Sequence, residues 1–512
     1  MDQFVPDALP WYQGSKDYVP FTLAKLISSD NPDAPPFYCT AAFPWSHTSL
    51  ATLWTDEKQI SDWKETVQEY IGSIAVGSRG RLYVFPKLAA AKPFCVRLCD
   101  ESMEVHCVTW ALRDVADPLV VFAASSLILV LRVKTRKVIG QLRGHGGPIT
   151  SIAVHPSHPY LFCTTSRDFT TRIYDLTLTA LQKPNNPHWP PGTLPSLAGP
   201  AHGLQMSEPE GEGCGRCVVV LVGGRSGGHR GAVFCAAFHR SEPLIATCGM
   251  DRAVKIWCIP PIKPEFLARE DKPLFSTEFI HKARVQSIAW LSHDTLISHC
   301  APAPMRTKKP DGVYYENGTV VIWRWLGFDR FFPPGRPLQK VMRGCASDWR
   351  GSESFKIISA YFLPLGSTLE LHVFQDDDHD PLLLIPLGKT IRIMNITHFT
   401  ARRTPPFPPD AEVVELAQRM QLNDDGVQEQ TEGEDIQSGS NDTTQVVQAS
   451  PEALRLTALF DSVEGWEVSI DGATRARPDI PEVDTCEVAF GGRVILGVGD
   501  KGTMFIWRRA SR

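Results

Sequence analysis

The chain of 512 residues has an ordinary globular composition, with 43% hydrophobic and 9% aromatic residues, which is enough to form a sizeable core. Its formal net charge of −5 argues against a protein that coats nucleic acid through its overall field. The N-terminal stretch lacks the basic and apolar regions of a secretory signal, and no apolar run reaches the roughly 18 residues of a membrane-spanning helix.

Thirteen cysteines are scattered along the chain, and several lie in apolar segments that resemble strands. An odd number without a recognisable signal predicts free thiols in a reducing compartment, the cytosol or the nucleus. One Cys-x-x-Cys pair, Cys214 and Cys217, lies in a Gly-rich stretch. A structural zinc site needs two further ligands. We find no second pair, so metal binding there is the weaker interpretation.

Taken in chain order, the predicted elements are an extension over residues 1–35 and then short apolar segments separated by Gly, Pro, Asp and Ser. Stretches such as GSIAVGSRGRLYVF and, near the C-terminus, RVILGVGDKGTMFIW each predict two strands joined by a tight turn. Many such pairs predict an all-β sandwich, barrel or propeller, and internal repetition distinguishes among these.

One unit occurs twice in register, beginning at Gly144 and at Gly228. The histidine precedes the closing aromatic by 29 positions in the first copy and by 28 in the second. A Gly-His pair, a strand ending at Thr, an Asp turn and a strand closing at an aromatic resemble the WD40 repeat, which forms one four-stranded propeller blade. The shared residues are His145, Thr164, Asp168 and Tyr174, and then His229, Thr247, Asp251 and Trp257.

The resemblance gives these residues a structural role. In the WD40 repeat the turn Asp hydrogen-bonds to the histidine, which in turn meets the strand Thr and the closing aromatic. Asp251 is therefore expected to belong to a buried network that ties the strands of one blade together. A catalytic role for the same residues is the weaker interpretation.

Weaker copies of the unit extend over most of the chain and predict a seven-bladed WD40-type β-propeller. Blades one to six occupy residues 36–400, with a long loop insertion at 182–227, and the sixth begins at Ser354. A Pro-rich and then acidic insertion follows at 401–450, and the last blade covers 451–512. Seven acidic and no basic residues lie between positions 423 and 450, which predicts disorder there.

Catalytic signatures were sought along the whole chain. We find no P-loop, GxSxG elbow, HExxH helix or kinase motif in the sequence. The stretch DDDHD at 376–380 could bind a cation through its carboxylates, but a solvated loop is the favoured interpretation. We therefore predict no enzyme, with no catalytic residues, no cofactor and no metal site.

A closer resemblance lies between Gly144 and Trp323. The segments GGRSGGHRGAVFCAAF, IATCGMDRAVKIW and FSTEFIHKARVQSIAWLSHDTLISHC resemble the embryonic ectoderm development and extra sex combs family. Membership would imply a nuclear, non-catalytic subunit of the Polycomb repressive complex that methylates a histone H3 lysine. The expected partners are other Polycomb subunits and the N-terminal helix of a SET-domain methyltransferase, without sequence-specific DNA binding or membrane contact.

The family also binds trimethyl-lysine of the histone H3 tail in an aromatic cage, through cation–π attraction. Alignment with the family places cage positions at Cys39, with Tyr38 beside it, and at His106. The Trp-Tyr pair expected at the sixth blade is missing from ESFKIISAYF, where Phe355 and Tyr361 are the available aromatics. We expect methyl-lysine binding to be weakened or lost; the alternative is a cage rebuilt from Tyr38, His106 and Phe355.

Two other functions stay open on the sequence. A WD-repeat adaptor of another assembly, such as a ubiquitin ligase, would carry a degron-like box or a helical docking domain outside the propeller, and neither is visible. A propeller enzyme is disfavoured because each Asp and His singled out above has a structural explanation.

Overall fold

The structure is a computed structural model that describes most of the predicted blades. The described residues are 11–13, 21–29, 31, 33–88, 92–182, 209–223, 227–306, 312–333, 348–363, 371–376, 379–399, 465–470 and 480–509. The insertion predicted at 401–450 lies outside them.

Short strands account for nearly all regular structure in the described residues. Two α-helices, α1 (Glu57–Tyr70) and α2 (Phe328–Phe331), and two 3₁₀ turns, Trp11–Gln13 and Ile396–His398, accompany them. The strands of the first half are β1 (Phe21–Ile27), β2 (Phe37–Ala42), β3 (Ile74–Ser78), β4 (Arg81–Phe85), β5 (Phe94–Arg97), β6 (Val105–Asp114), β7 (Asp117–Ala124), β8 (Leu127–Arg132), β9 (Lys137–Leu142), β10 (Ile149–Val154), β11 (Leu161–Ser166), β12 (Thr171–Thr179), β13 (Gly211–Leu221), β14 (Val233–Phe238), β15 (Leu244–Gly249) and β16 (Val254–Cys258). The remaining strands are β17 (Ala268–Glu270), β18 (Phe275–Thr277), β19 (Val285–Trp290), β20 (Thr295–Cys300), β21 (Ala303–Arg306), β22 (Val313–Glu316), β23 (Thr319–Trp325), β24 (Phe355–Phe362), β25 (His372–Asp376), β26 (His379–Leu387), β27 (Thr390–Asn395), β28 (Trp466–Ser469), β29 (Thr485–Ala489), β30 (Val494–Gly499) and β31 (Thr503–Arg509).

The described strands form five separate four-stranded sheets, one nine-stranded sheet and one hairpin, β21–β22. In each four-stranded sheet neighbouring strands run antiparallel, as in a propeller blade. The prediction of an all-β WD40-type propeller is therefore confirmed by the architecture.

The nine-stranded sheet contains two consecutive four-stranded units, β6–β9 and β10–β13, joined because β13 pairs with both β12 and β9. Glycines permit the second pairing. A Cβ at Gly213, where φ is +77°, would lie 2.0 Å from the carbonyl oxygen of Ile139. Strand β13 lies inside the interval 182–227 that the sequence analysis treats as an insertion.

One edge strand of each four-stranded unit faces the neighbouring units, and side chains connect these inner strands, which are β2, β6, β10, β14, β19, β25 and β29. The Cys39 thiol of β2 donates to the Val105 carbonyl of β6 at 3.2 Å. The Trp290 indole of β19 donates to the Ala237 carbonyl of β14 at 3.1 Å. On the other side of β2, the Thr40 hydroxyl lies 3.2 Å from a carboxylate oxygen of Glu487 on β29. We call the edge at which the inner strands begin the entry edge.

Strand β1 joins the N-terminal part of the chain to its last sheet. It pairs antiparallel with β31, with Leu23 opposite Trp507. The buried Trp11 ring packs 5.1 Å from Phe21 and 5.3 Å from Trp466, measured between ring centroids. Residues that the sequence analysis assigns to an N-terminal extension thus supply the outer strand of the last sheet.

Helix α1 lies in the connection between β2 and β3, where the sequence analysis predicts no helix. Asp56 caps it by accepting a hydrogen bond from the Gln59 N–H at 2.8 Å. Its buried face consists of Trp63, Thr66, Val67 and Tyr70, at the spacing of an amphipathic helix. This face completes the core between the first two sheets.

Strand β24 differs from its predicted place. The sequence predicts that the sixth blade begins at Ser354. In the structure, residues Phe355–Phe362 instead pair with β23 as the outer strand of the preceding sheet. The next sheet begins at His372. An outer strand and an inner strand share the same apolar alternation, so the pattern alone does not separate them.

Candidate functional site

A polar and aromatic cluster lies at the entry edge between β2 and β6. The rings of Tyr38 and His106 lie 4.4 Å apart between centroids. Glu104 contacts both, accepting from the Tyr38 hydroxyl at 2.7 Å and lying 3.1 Å from Nε2 of His106. The Arg79 guanidinium donates to the same carboxylate at 3.0 Å. We call these four residues the Tyr38 cluster.

The close approach of β2 to β6 brings the Tyr38 cluster together. Gly77, on the strand next to β2, faces both strands: a Cβ there would lie 2.4 Å from the Val105 carbonyl oxygen and 2.6 Å from the Cys39 sulfur. Only glycine leaves this space free. Cys39 itself points to the Val105 carbonyl and contributes no aromatic surface.

The charges of the Tyr38 cluster follow from these contacts. Hydrogen bonds from Tyr38 and then Arg79 hold the pKa of the Glu104 carboxyl below its usual value. Partial burial and the Glu104 contact raise the pKa of the Tyr38 hydroxyl. The cluster therefore presents a neutral phenol and an ionised carboxylate at neutral pH.

The third residue of the proposed rebuilt cage lies elsewhere. Phe355 is on β24, with its ring 6.5 Å from the rings of Phe275 and Trp323. Among the described residues no ring contact joins Phe355 to the Tyr38 cluster. The other aromatic considered, Tyr361, is buried at the far end of β24 and packs on Phe399. The structure thus brings Tyr38 and His106 together and places Phe355 in the core of another sheet.

The four residues of the second repeat meet inside the sheet of β14, β15, β16 and β18. Nδ1 of His229 lies 3.0 Å from an Asp251 carboxylate oxygen, and its Nε2 lies 2.8 Å from the Thr247 hydroxyl. The Trp257 indole N–H donates to that hydroxyl at 2.9 Å. Asp251 also accepts from the Arg230 backbone N–H at 2.8 Å. The chain of contacts joins one turn, two strands and the connection that enters the sheet.

The first repeat has the same arrangement with a tyrosine at its end. His145 lies 2.9 Å from an Asp168 oxygen and 2.7 Å from the Thr164 hydroxyl. The Tyr174 ring stacks on Phe162 at 5.0 Å between centroids. Tyr174 thus fills the position that Trp257 occupies in the second repeat.

Burial controls the protonation of these networks. It lowers the pKa of His145 and of His229, although the facing carboxylates oppose the shift. Burial alone would raise the pKa of Asp168 and of Asp251, but the contacts from the histidines hold both below the usual value. Neutral imidazoles that orient ionised carboxylates stabilise the blades, and the side chains of both pairs are at most 10% exposed.

A third network escaped the sequence analysis. In the sheet of β19, β20, β23 and β24, Nε2 of His281 lies 2.7 Å from the Ser298 hydroxyl, to which the Trp323 indole donates at 3.0 Å. The Thr319 hydroxyl lies 3.3 Å from Nδ1 of His281, as the Thr170 hydroxyl lies 3.2 Å from Nδ1 of His145 in the first repeat. The spacing from His281 to Trp323 is 42 residues, because the hairpin β21–β22 lengthens the turn. Searching for the histidine and tryptophan without a fixed spacing would have found it.

The buried histidines of this sheet predict a pH dependence of stability. Burial lowers the pKa of His281 and of His299 from 6.5 to about 3. The unfolded chain therefore binds more protons below pH 6.5, so stability is complete above that pH and is lost as the pH falls. Each residue is expected to contribute a slope of up to about 1.4 kcal/mol per pH unit.

Chemical denaturation at a series of pH values between about 7.5 and 5.5 measures this slope. The His299→Gln variant is expected to have a shallower slope than the parent chain. His293→Gln, which changes an exposed ring in the same sheet, serves as the control. Equal slopes in all three proteins would contradict the assignment.

The residues considered as metal ligands from the sequence, the Cys214–Cys217 pair and the DDDHD stretch, make other contacts in the structure. Cys214 and Cys217 are buried on β13, where the Cys214 thiol donates to the Leu176 carbonyl at 3.1 Å. Burial raises the pKa of Cys217 to about 12, so its thiol stays protonated. Of the DDDHD stretch, Asp380 accepts a hydrogen bond from Asn395 at 2.9 Å. Within the described ranges no group of three or more His, Cys, Asp or Glu side chains could hold a metal ion.

Among the helices that the structure describes, none is long and apolar enough to span a membrane.

Comparison with known proteins adds an independent observation. The WD domain, G-beta repeat family matches residues 136–175 and 215–258, the two repeats found above. The Polycomb protein EED of Chaetomium thermophilum is 26% identical over 47% of this chain and 34% of its own length. The maize Polycomb group protein FIE1 is 30% identical over 31% of this chain and 27% of its own length. The Polycomb protein esc of Drosophila melanogaster is 22% identical over 40% of this chain and 43% of its own length.

Over the WD40 repeats this chain is thus similar to Polycomb proteins of the EED, FIE and esc type. The matched region spans only about a third of the length of the first of these relatives. The structures are similar over a longer part of the chain than the sequences. A chain in the structure of the Chaetomium thermophilum Polycomb Repressive Complex 2 bound to GSK126 superimposes on this chain with a TM-score of 0.56. That superposition covers 96% of this chain and 98% of the other at 17% identity. At this identity the superposition shows that the two chains share a fold.

Proposed function

We propose that this EED-family chain is a non-catalytic scaffold subunit of a nuclear Polycomb-type histone H3 lysine methyltransferase complex. The observation that carries the proposal is the superposition on a chain of a Polycomb Repressive Complex 2 structure over almost the whole of both chains. The Polycomb relatives support it. A propeller contributes rigid surface and a bias on its partner's conformation, for which it needs no catalytic group.

The scaffold would be a seven-bladed ring. The five separate sheets and the two four-stranded units of the nine-stranded sheet support this number. Pairing of β1 with β31 supports ring closure, since closure removes exposed strand edges. We infer that one face of this ring holds the N-terminal helix of a SET-domain methyltransferase, as the family resemblance implies.

Methyl-lysine binding would be weak in this chain. Cation–π attraction for a quaternary ammonium increases with the number of aromatic faces around it, and the Tyr38 cluster offers one phenol and one imidazole. The Glu104 carboxylate holds the Tyr38 hydroxyl at 2.7 Å, and a trimethylated nitrogen has no N–H to donate to that carboxylate. The geometry thus favours retention of the scaffold role with reduced reading of trimethyl-lysine.

Titration of a fluorescent histone H3 peptide with trimethyl-lysine, against its unmodified form, tests this part of the proposal. We expect the two peptides to differ in Kd by less than about threefold, because two rings supply little attraction. The variant His106→Tyr, which places the tyrosine of the family at this position, is expected to increase the preference for the trimethylated peptide to about threefold or more. A parent chain that already prefers the trimethylated peptide by about tenfold would overturn the proposed loss.

The scaffold role has its own test. Reconstitution with a SET-domain methyltransferase from the same source should yield a stable complex in which the enzyme alone provides the catalytic groups. The chain on its own is expected to transfer no methyl group to histone H3. Methyl transfer by the isolated chain, or failure to form a complex with any such enzyme, would contradict the proposal.

A further inference from the structure

Four large apolar side chains are exposed at the entry edge, on the side of the ring formed by β10–β24. Phe169 in the β11–β12 turn is 39% exposed, and Met250 in the β15–β16 turn is 49% exposed. Phe279, between β18 and β19, reaches 61%, and Tyr315 in the hairpin β21–β22 reaches 70%. Single exposed apolar residues are ordinary, but a row along consecutive turns of one edge indicates an interaction site.

Contacts between the turns show that the row is continuous. A Cβ at Gly223, in the connection to β14, would lie 2.6 Å from the Cβ of Phe169. A Cβ at Gly231, farther along the same connection, would lie 3.0 Å from the Cβ of Met250. The turn after Met250 then reaches the next connection, because Arg252 lies 3.7 Å from Glu278, the neighbour of Phe279.

The last step of the row reaches the hairpin. Lys282, three residues after Phe279, lies 3.4 Å from Glu316, which follows Tyr315 on β22. The four apolar side chains and the charged residues between them therefore form one surface, which we call the turn patch.

The charge of the turn patch is positive. Among the described residues its exposed cations are Arg167, Arg230, Arg252, Lys282 and Arg306. Glu278 and Glu316 offset two of them, which leaves an excess of three positive charges. Asp168 and Asp251 point inward to their histidines, where the buried Arg172 and Lys255 lie close enough to lower the pKa of each carboxyl. Among the described residues, Arg167 and Arg230 make no ion pair.

We propose that the turn patch binds an acidic polypeptide segment that carries aromatic or aliphatic side chains. Phe, Tyr, Met and Arg are the residues enriched at the centres of protein interfaces, and the excess positive charge selects an acidic partner. Nucleic acid fits less well, because single strands bind along a continuous basic groove with regularly placed rings. Here two of the five cations are already paired and the rings lie on separate turns.

Fluorescence anisotropy with the full chain tests the proposal. The probe is a labelled peptide of about 15 residues in which Asp and Glu alternate with Phe and Leu, measured at about 50 mM and about 300 mM salt. Binding is expected at low salt and should weaken at high salt. Arg230→Glu and Phe279→Ser are each expected to weaken it by about tenfold or more.

Matched variants outside the turn patch provide the controls. Lys137→Glu and Val138→Ser change an exposed lysine and a 40% exposed valine on β9, and neither should alter binding. Melting curves establish that all four variants are folded. The proposal fails if the peptide does not bind, if the patch variants bind like the controls, or if oligouridylate binds the patch and the acidic peptide does not. The scaffold role does not depend on this result.

Discussion

Replacement of Trp257 by alanine is expected to lower the free energy of unfolding by about 3–5 kcal/mol. The side chain is 1% exposed and packs in the core cluster that joins the sheets of β10 and β14. Its indole N–H also donates to the Thr247 hydroxyl, the same hydroxyl that His229 contacts. Alanine would leave a large cavity and remove one bond of the network. Guanidinium unfolding measures the loss.

A graded series separates packing from hydrogen bonding at this position. Trp257→Phe keeps an aromatic ring in the core but removes the N–H together with part of the indole ring system, so a loss of about 1–2 kcal/mol, smaller than that of Trp257→Ala, is expected. Leu326→Ala, at a side chain that is 56% exposed, should change stability by less than about 0.5 kcal/mol. A Trp257→Ala variant as stable as Leu326→Ala would show that the network does not stabilise the blade.

Deletion of residues 1–27 is expected to abolish cooperative unfolding of the chain. It removes β1, so β31 loses its antiparallel neighbour and becomes the exposed edge of a three-stranded sheet. It also removes the buried Trp11, Tyr12 and Phe21 from the last core cluster. Each buried aromatic contributes about 2–3 kcal/mol, and the total approaches the whole stability of an ordinary domain, about 5–15 kcal/mol. Thermal melting by circular dichroism, with size-exclusion chromatography, measures the effect.

A peptide added in trans and two point variants test whether the lost cooperativity is due to β1. A synthetic peptide of residues 11–27 should restore part of the cooperative transition, because it can pair with β31 again. Phe21→Ala, at a 5% exposed side chain, should destabilise the full-length chain, whereas the neighbouring exposed Thr22→Ala should not. A truncated chain that melts as cooperatively as the full-length chain would contradict the role of β1 in closure.

The propeller could be predicted from the sequence because each WD40 repeat requires particular residue types at particular positions. A histidine, a hydroxyl, a turn carboxylate and an aromatic recur in register at His145 and at His229, and both repeats match the WD domain family. The hydrogen bonds within each blade require these side chains at these places, so the same residue types recur at nearly the same spacing in both repeats. The third network at His281 was missed because the hairpin β21–β22 changed the spacing and Asn317 stands at the position of the turn Asp.

Elements without such fixed chemistry could not be placed from the sequence. Strand β13 begins at Gly211 and contains three glycines, Gly211, Gly213 and Gly215, so its composition suggested a loop. Strand β24 carries the apolar pattern of an inner strand, and only its pairing with β23 identifies it as an outer one. Phe355 lies on β24. The hypothesis of a cage rebuilt with Phe355 placed this residue on an inner strand, whereas it lies on an outer one. The contact between Tyr38 and His106 depends on long-range packing of β2 against β6, which no local pattern encodes.

The central claim is that this chain acts inside a Polycomb-type methyltransferase complex. Mass spectrometry of the proteins that co-purify with the tagged chain from its native cells tests the claim most directly. Stoichiometric recovery of a SET-domain histone methyltransferase, retained as the salt concentration is raised, is the predicted result. Recovery of a cullin or other ubiquitin-ligase machinery, with no methyltransferase at any salt concentration, would contradict the claim.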